Sequence, residues 1–329
     1  MIYIEGVGFD PRQNLATEQF IFDRLDPAES YLMLWQNDNA IIVGKHQNTF
    51  AELNLEAVRT EGITVVRRLS GGGAVYHDLG NLNFTFITDH DGQNALSFRR
   101  FCLPVVETLS RLGIDARVDG RNDMTVDGRK FSGNAQYVKR GRVMHHGTLL
   151  LSSDLEKVHR VLSTAPDRIE SKAYQSVRSR VTNLQEHLDR PLSIDELKDE
   201  LLATLREKSP LTRYTLSPDD LAAIDRLRAE RYDRWEWNYG VSPAFAIHKS
   251  RRIEGCGKLD IYMNVEKGII RDIRFYGDYF SLDEDDRLRD TLVGLPLERE
   301  AVERAIAPLP LDRYFGGISI GPFVQALCE

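Results

Sequence analysis

The loop that most constrains the fold is Gly71-Gly72-Gly73, three consecutive glycines between two stretches with the pattern of buried strands. Residues 63–69 lead into it, and residues 81–87 follow with apolar side chains at every second position, namely Leu82, Phe84 and Phe86. No Gly-Lys-Ser/Thr follows the glycines, and a strand rather than a helix comes next. The loop is therefore neither a P-loop nor a dinucleotide-binding fingerprint.

Three residues without a Cβ allow a ligand to approach the backbone closely and allow successive N–H groups to point at an anion. Arg68 precedes the loop, so the segment suits a phosphate or an acyl phosphate. The alternative is a flexible glycine turn flanked by surface arginines. The sequence pattern alone leaves both interpretations open.

The rest of the pattern predicts a mixed α+β fold rather than alternating βαβ units. A helix over residues 14–25 is followed by a hairpin of strands 31–35 and 40–43, and a helix over 98–112 has Ser97 as its N-cap. Strands are predicted at 115–119, 124–126, from Lys130 onward and at 143–151, with a turn at Asp127-Gly128. Capping boxes are predicted at Ser153/Glu156 and Ser193/Glu196.

The length of 329 residues suggests about two domains. We place the boundary after Pro243, giving a catalytic domain over 1–243 and a small accessory domain over 244–329. The accessory domain is predicted to contain a hairpin of strands 259–265 and 270–275 and two helices, 283–292 and 298–306.

Composition narrows the function. The formal net charge of −7 disfavours a general nucleic-acid binder, which would present a basic field. The three cysteines, Cys102, Cys256 and Cys328, form no C-x-x-C pair, so neither a disulfide framework nor a zinc site is predicted. No apolar run is long enough for a membrane span and no export leader is recognised. We expect a cytoplasmic protein without nucleic-acid or membrane partners.

A second segment that could carry chemistry contains Asp123, Lys130 and Gly133. A strand lysine with a glycine three residues later can bring its ammonium against a carboxylate or phosphate, so Lys130 is the catalytic candidate. The alternative is a solvated hairpin lysine. Asp123 could hold Mg²⁺, but Asn122-Asp123 is also common turn chemistry.

Other candidates are less specific. His145 and His146 are adjacent on a predicted strand and should face opposite sides, so they cannot easily ligate one metal together, and an ordinary hydrogen-bonded histidine is favoured over a catalytic one. Trp35 is expected in the core or in the wall of an apolar pocket. No cysteine is well placed as a nucleophile, so no covalent acyl-enzyme is expected.

Taken together, these segments resemble the lipoate–protein ligases over essentially the whole chain. The matching segments are residues 67–84 with the glycine loop, Gly44-Lys45-His46-Gln47-Asn48, Gly120-Arg121-Asn122-Asp123, Lys130-x-Ser132-Gly133-x-Ala135, residues 145–150, residues 176–184 and Trp235-x-Trp237-Asn238-Tyr239-Gly240. The resemblance implies a biotin/lipoate ligase-like fold of mixed sheets flanked by helices, with a C-terminal accessory domain.

The implied reaction has two steps. Lipoate and Mg-ATP give lipoyl-AMP and pyrophosphate, and the lipoyl group then passes to a lysine of an acceptor lipoyl domain. The implied acceptors are the E2 subunits of 2-oxoacid dehydrogenase complexes and the glycine cleavage H protein. ATP with Mg²⁺ and lipoate are substrates, no tightly bound prosthetic group is expected, and discrimination against octanoate should be weak because the dithiolane offers no polar handle.

The resemblance also implies roles for individual residues, with Lys130 catalytic. ATP or adenylate binding is assigned to Arg68, Gly73, Ala74, Val75, Tyr76, Asn122, Asp123 and Lys130, and Mg²⁺ binding to Asp123. Lipoate binding is assigned to Trp35, Ser70, Gly71, Gly72, His77, Lys130, Gly133 and His146, with Trp35, Val75 and Phe84 lining the apolar tunnel. The accessory domain is a candidate lid that would shield the adenylate from water.

Two alternatives remain. One is an ATP-independent octanoyl or lipoyl transferase on the same fold, which would use a cysteine. The other is a non-catalytic module that keeps the adenylate pocket. Thiol alkylation and pyrophosphate release separate these alternatives from the ligase.

Overall fold

The computed structural model describes residues 1–90, 97–120, 122–162, 181–239, 247–266 and 268–328. Contacts between residues divide the chain into two units. The first contains Met1–Val43, Thr49–Arg68 and Ala74–Tyr239, and the second contains Gly44–Asn48, Leu69–Gly73 and Gly240–Glu329. The predicted boundary between residues 243 and 244 lies outside the described residues.

The first unit contains eleven of the described strands and most of the helices. Its strands are β1 (Ile2–Glu5), β2 (Tyr31–Trp35), β3 (Ala40–Val43), β4 (Thr64–Arg67), β5 (Val75–His77), β6 (Asn81–Asp89), β7 (Ala116–Asp119), β8 (Asp123–Val126), β9 (Arg129–Lys139), β10 (Arg142–Leu150) and β11 (Thr212–Arg213). Its helices are α1 (Pro11–Arg24), α2 (Thr49–Glu52), α3 (Leu55–Thr60), α4 (Arg99–Arg111), α5 (Leu155–Val161), α6 (Ile194–Lys208), α7 (Pro218–Leu227) and α8 (Trp235–Asn238), with a 3₁₀ turn at Leu184–His187 and a π-helical turn at Arg228–Tyr232.

Two sheets organise this unit. The large sheet has the strand order β11-β1-β2-β6-β10-β9-β8-β7, and the small sheet has the order β4-β3-β5. β1 runs parallel to both of its neighbours, β3 runs parallel to β4, and the other pairs are antiparallel. The mixed α+β class is confirmed.

The two faces of the large sheet differ in character. Leu82, Phe84 and Phe86 of β6 pack with α4 and α6 in a hydrophobic core, which confirms their alternating pattern as a buried face. The intervening Asn81, Asn83 and Thr85 are also buried but lie on the opposite face, towards α1. One side of the sheet is therefore an ordinary core, and the other carries buried polar groups.

Several predicted elements are confirmed. The strands Tyr31–Trp35 and Ala40–Val43 have the expected bounds. Asp127 and Gly128 form the turn between β8 and β9 with φ of 50° and 71°. Ser193 and Glu196 form the capping box of α6.

Three predictions were wrong. Strands β2 and β3 do not form a hairpin, because β2 pairs with β1 and β6 while β3 pairs with β4 and β5. Phe98 rather than Ser97 occupies the N-cap of α4, without a side-chain bond. The N-cap of α5 is Asp154, whose side chain accepts from the Lys157 amide, so Ser153/Glu156 is not a capping box.

The second unit contains a three-stranded antiparallel sheet of β12 (Ile247–Ile253), β13 (Gly257–Glu266) and β14 (Ile269–Gly277). Four helices accompany it, α9 (Asp286–Leu292), α10 (Arg299–Ile306), α11 (Leu311–Tyr314) and α12 (Ile320–Cys328). β13, β14, α9 and α10 are the predicted hairpin and helices, whereas β12 and the last two helices were not predicted. In the described part of the chain, no helix has both the length and the apolar character needed to cross a bilayer.

Candidate functional site

The β8–β9 hairpin brings together residues that the sequence analysis singled out. The Lys130 Nζ atom lies 2.8 Å from Oδ1 of Asp123, and both side chains are more than a third exposed. A Cβ added at Gly133 would lie 3.2 Å from Nζ and 3.3 Å from Cε of Lys130, so this glycine makes room for the lysine. The register shifts between Met124 and Thr125, which forms a bulge beside the lysine. The Lys130 side chain therefore has a defined position in the hairpin, and its amine is accessible to solvent.

Neighbouring segments support this hairpin. The Asn134 amide donates to the Asn122 carbonyl at 3.0 Å, and Nδ2 of Asn122 donates to the Asn134 carbonyl at 2.8 Å. The Thr182 amide donates to the Lys130 carbonyl at 2.9 Å. Asn122 thus ties the loop before Asp123 to β9. Arg121 and residues 176–180 lie outside the described part of the chain.

A buried polar cluster lies on the α1 face of the large sheet. The Trp35 indole donates to the Thr85 hydroxyl at 2.9 Å, and this hydroxyl donates to Oε1 of Glu18 at 2.5 Å. Nδ1 of His146 lies 3.0 Å from the same carboxylate oxygen. A buried carboxylate needs such partners to offset its desolvation. The structure brings the predicted Trp35 and His146 together through Glu18.

The sequence analysis missed Glu18. Its signal is a charged residue among the apolar positions of α1, where a helix of a soluble protein normally presents its core face.

Arg68 and His77 belong to the same electrostatic environment. Arg68 is buried and donates from Nη1 to the Ile42 carbonyl at 3.0 Å. Burial lowers its pKa to about 10, against the opposing effect of Glu18, so the guanidinium stays charged at neutral pH. Burial, with smaller contributions from Arg68 and His146, lowers the pKa of His77 to about 3, so this ring is neutral. The ring centroids of His77 and Trp35 are 6.2 Å apart.

Other predicted residues serve the core. Phe84 was predicted to line a tunnel with Trp35, which was wrong, because Trp35 pairs with Asn83 and the Phe84 ring packs on the opposite face against His145. The Tyr76 side chain is buried in the small-sheet core, and its hydroxyl donates to Oδ1 of Asn39 at 3.1 Å. Burial raises the pKa of this hydroxyl. Because the side chain is taken up by the core and by Asn39, the predicted nucleotide contact of Tyr76 is left to its backbone. Val75 is half-buried and Ala74 packs against the same core.

His145 is a structural histidine. Its Nδ1 lies 3.0 Å from Nε2 of Gln136, and its Nε2 lies 3.2 Å from Oδ1 of Asn134. The ring stacks on Phe101, and burial holds its pKa well below 6.5. These contacts confirm the predicted hydrogen-bonded histidine, and they confirm that the two adjacent histidines face opposite sides of β10.

The glycine loop belongs to the second unit, where it contacts residues 279–280. A Cβ at Gly71 would lie 2.3 Å from the Tyr279 carbonyl oxygen, and the Gly72 amide donates to that oxygen at 3.4 Å. Gly72 has φ of 91°, and a Cβ at Gly73 would meet nothing within 4 Å. The close backbone approach seen here is therefore to the chain's own residues. The Ser70 carbonyl accepts from the Lys45 amide at 2.8 Å.

The same unit holds the segment Gly44–Asn48. The His46 ring stacks on Tyr279 with centroids 4.7 Å apart, and its Nε2 lies 2.7 Å from the Ser281 hydroxyl. The Gly277 amide donates to the His46 carbonyl at 2.7 Å. Both loops are thus held against residues 277–281.

Arg67 has a structural role that the sequence analysis did not assign. Its Nε donates to the Trp237 carbonyl at 2.9 Å and its Nη2 donates to the Thr49 hydroxyl at 2.7 Å. The Trp237 indole donates back to the Arg67 carbonyl at 2.8 Å, and Oδ1 of Asn238 accepts from the Arg67 amide at 3.0 Å. The tryptophan motif near residue 237 therefore holds the end of β4, from which Arg68 projects.

Two of the three cysteines are buried, whereas Cys328 is partly exposed. Cys102 is buried, which raises its pKa to about 12, and Cys256 is buried as well. In the described ranges no three His, Cys, Asp or Glu side chains are grouped as metal ligands.

Comparisons with known proteins identify the family. Residues 10–206 match the family model of the lipoyl protein ligase A/B catalytic domain, and residues 242–327 match that of the bacterial lipoate protein ligase C-terminus. Lipoate-protein ligase LplJ of Bacillus subtilis is 42% identical over 99% of this chain and 100% of its own length. Lipoate–protein ligase 1 of Staphylococcus aureus is 41% identical over 94% of both chains.

Solved structures agree. LipL1 of P. falciparum in complex with lipoate has a TM-score of 0.74 at 28% identity, covering 94% of both chains. A lipoate-protein ligase A bound with ATP has a TM-score of 0.64 at 29% identity, covering 73% of this chain and 98% of its own. A bipartite archaeal ligase from Thermoplasma acidophilum, studied with its E2 lipoyl domain, has a TM-score of 0.67 at 29% identity, covering 75% of this chain and 98% of its own. The chain belongs to the lipoate–protein ligase family, whose members join a carboxyl group to an amine as an amide.

Proposed function

We propose that the protein is an ATP-dependent lipoate–protein ligase that works through lipoyl-AMP. In the first step a lipoate carboxylate oxygen attacks the α-phosphorus of ATP, the bond to the bridging oxygen breaks, and pyrophosphate leaves. In the second step the ε-amine of an acceptor lysine attacks the activated carbonyl carbon, the bond to AMP breaks, and the amine loses a proton to solvent. The product is a lipoyl amide.

The observation that carries this proposal is the placement of Lys130. Its ammonium has three donors, is accessible, and is held by Asp123 at 2.8 Å over the space that Gly133 leaves open. An exposed ion pair is worth only about 0.2–1 kcal/mol, so Lys130 can leave Asp123 at small cost and contact the lipoate carboxylate and the α-phosphate together. It would neutralise the charge that develops as the two anions meet.

The remaining groups suit the substrates. Arg68 supplies a buried positive charge for the nucleotide. The buried side chains of Trp35, His77 and His146 form the proposed acyl site. Within the first unit, Ala74 to Tyr76, Asn122 and Asp123 are the other predicted nucleotide contacts, and Gly133 is a further predicted lipoate contact. Relatives solved with ATP or with lipoate support the same pair of substrates.

Magnesium enters as part of the Mg-ATP substrate. Mg²⁺ commonly binds through one or two carboxylates together with substrate phosphates, and the Asp123 carboxylate beside Lys130 fits this limited role. The ion would neutralise phosphate charge. To bind it, the Asp123 carboxylate would give up its ion pair with Lys130.

The acceptors we propose are lipoyl domains of 2-oxoacid dehydrogenase E2 subunits and the glycine cleavage H protein. The archaeal relative, studied with its E2 lipoyl domain, supports the first of these. Their shared requirement is an accessible lysine amine.

The test is pyrophosphate release by the full-length protein with Mg-ATP and lipoate, octanoate or biotin, followed by the mass gain of a lipoyl domain. We expect release with lipoate and octanoate and none with biotin. Lys130→Ala should lower the rate by about 100-fold or more. Lys139→Ala, at the exposed end of the same strand, is the matched control and should not change it. Nucleotide binding without pyrophosphate release, or transfer from an acyl donor without ATP, would refute the proposal.

A further inference from the structure

Three buried side chains, Asn14, Asn37 and His77, are joined in a chain whose direction is set by the backbone. The Val7 amide donates to Oδ1 of Asn14 at 3.1 Å, so this atom is the oxygen of the carboxamide. Nδ2 of Asn14 then faces three acceptors, the Gln36 carbonyl at 2.8 Å, Oδ1 of Asn37 at 3.1 Å and the Gly8 carbonyl at 3.2 Å. A backbone donor at the start of the chain thus orients both amides.

The consequence reaches the imidazole. Because Oδ1 of Asn37 faces Asn14, its Nδ2 faces His77 and donates to Nδ1 at 3.0 Å. Nδ1 therefore accepts, and the ring, which burial keeps neutral, carries its proton on Nε2. The structure fixes one of the two neutral tautomers of His77.

Nε2 of His77 is a buried donor for which the described residues provide no acceptor. The residue is only 3% exposed, and within the described part of the chain Nε2 has no hydrogen-bond partner. Such a group costs about 1–3 kcal/mol if it stays unsatisfied. Trp35 lies beside the ring, and Arg68 and His146 are close enough to contribute to its lowered pKa, so the donor lies among residues assigned to the substrates.

We propose that Asn14 and Asn37 are positioning residues that hold His77 as an Nε2–H donor to a carboxyl oxygen of the acyl substrate. The inference rests on the proposed function. A carboxyl oxygen is the strong acceptor that lipoate and octanoate share, whereas dithiolane sulfurs accept only weakly. The charge of Arg68 also favours an anionic oxygen nearby.

His145 provides an internal comparison. It is buried, and Gln136 and Asn134 contact its two nitrogens at 3.0 and 3.2 Å. The Gln136 amide also donates to the Ser97 carbonyl, so its nitrogen faces His145 and the same Nε2–H tautomer results. Its Nε2 already has an acceptor, and it lies on the other face of the sheet.

The first test is tautomer-sensitive NMR of the full-length protein labelled with ¹⁵N-histidine, with His77 assigned by loss of its signals in His77→Gln. We expect the Nε2–H tautomer for His77 and His145 without substrate. Adding octanoate or lipoate, without ATP, should shift the Nε2 resonance of His77 and leave that of His145 in place. An Nδ1–H tautomer or an unmoved His77 signal would overturn the proposal. So would a shift of the His77 signal with lipoate but not with octanoate, because that would indicate a contact with the dithiolane.

The second test separates the donor from the shape of the side chain. His77→Gln places an amide N–H near Nε2, whereas His77→Asn does not reach it, and Asn37→Asp presents an acceptor that draws the proton to Nδ1. Relative to His77→Gln, we expect the KM for lipoate to rise about ten-fold or more in His77→Asn and Asn37→Asp, with a smaller change in kcat. Equal KM values in the folded Gln and Asn variants would contradict the donor role.

These readouts also distinguish the inference from the proposed function. Absence of lipoyl-AMP formation would refute the ligase reaction while leaving the tautomer measurement interpretable. Should Asn37→Asp fail to fold, the wild-type NMR experiment and the two His77 variants still decide the question.

Discussion

Replacing Gly133 with alanine is expected to displace the Lys130 amine while leaving the fold intact. The new Cβ would lie 3.2 Å from Nζ and 3.3 Å from Cε, closer than the ordinary contact range that begins near 3.4 Å. The atoms that the new Cβ would contact belong to the end of a flexible side chain, and Gly133 does not have a positive φ. We therefore expect the lysine side chain to move while the backbone stays in place. The expected displacement is a few tenths of an ångström.

The kinetic cost follows from this displacement. A misplacement of 1 Å can cost about 100-fold in rate, so a few tenths of an ångström correspond to about 3- to 10-fold. Stability should stay level or rise by up to about 1 kcal/mol, since alanine restricts the unfolded chain. Gly133→Ala is therefore a test of position that keeps every functional group of the site.

The assay is pyrophosphate release with saturating lipoate and Mg-ATP, measured for Gly133→Ala, Lys130→Ala and the double variant, with thermal unfolding of each. Gly321→Ala is the control, because a Cβ there meets nothing within 4 Å. If the effect of Gly133→Ala acts through Lys130, it should disappear in the Lys130→Ala background. An equal loss in both backgrounds, or an unfolded single variant, would refute the reasoning.

Three further outcomes are expected. Alkylation of the native protein with iodoacetamide should leave lipoate activation intact, because Cys102 and Cys256 are buried, the pKa of Cys102 is raised to about 12, and the partly exposed Cys328 has no role in the proposed reaction. A loss of activity in proportion to the modification measured by mass spectrometry would contradict this. Arg67→Ala should lower the free energy of unfolding by about 2–4 kcal/mol in urea denaturation, because it removes the bonds from the guanidinium to the Trp237 carbonyl and the Thr49 hydroxyl, and a loss under 1 kcal/mol would show that these bonds matter little. Acid should destabilise the protein through His77 and His145, because their pKa values are lowered in the folded state and the unfolded chain therefore binds more protons than the native one. The free energy of unfolding should be constant above about pH 6.5 and should fall below it by up to about 1.4 kcal/mol per pH unit for each ring. Urea titrations across this range should show a shallower pH dependence for His145→Gln, and an unchanged slope would disprove its contribution.

Local patterns were predictable where short-range chemistry decides the structure. The Asp127-Gly128 turn needs positive φ at both positions, and the Ser193/Glu196 capping box satisfies donors within one turn, so both could be predicted from neighbouring residues. The alternation of Leu82, Phe84 and Phe86 likewise marks one buried face.

Pairing between distant segments was not predictable in this way. β2 and β3 are buried along their whole lengths, so no alternation indicates their partners, and the prediction of a hairpin followed only from their closeness in sequence. β12 was missed because an edge strand rich in charged residues, including Lys249, Arg251 and Arg252, lacks a clear apolar alternation.

The candidate site shows the same difference between residues close in sequence, which could be predicted, and residues from distant segments, which could not. Motifs located Lys130, Asp123 and Gly133, which are close in sequence and meet across one hairpin. Glu18 and Asn37 come from separate elements, and their roles depend on partners far along the chain, His146 and His77. Such roles become visible only when the sheet is assembled.

The contacts of the two loops with residues 277–281 limit how this protein can be divided. A fragment ending at Tyr239 would keep every residue of the first unit, yet the loops that continue from β3 and β4 would lose the partners of His46, Gly71 and Gly72. The family's C-terminal region thus supplies part of the packing for a motif located some 200 residues earlier in the sequence. For engineering, residues 44–48, 69–73 and 277–281 are best exchanged between homologues as one set, because the three segments contact one another.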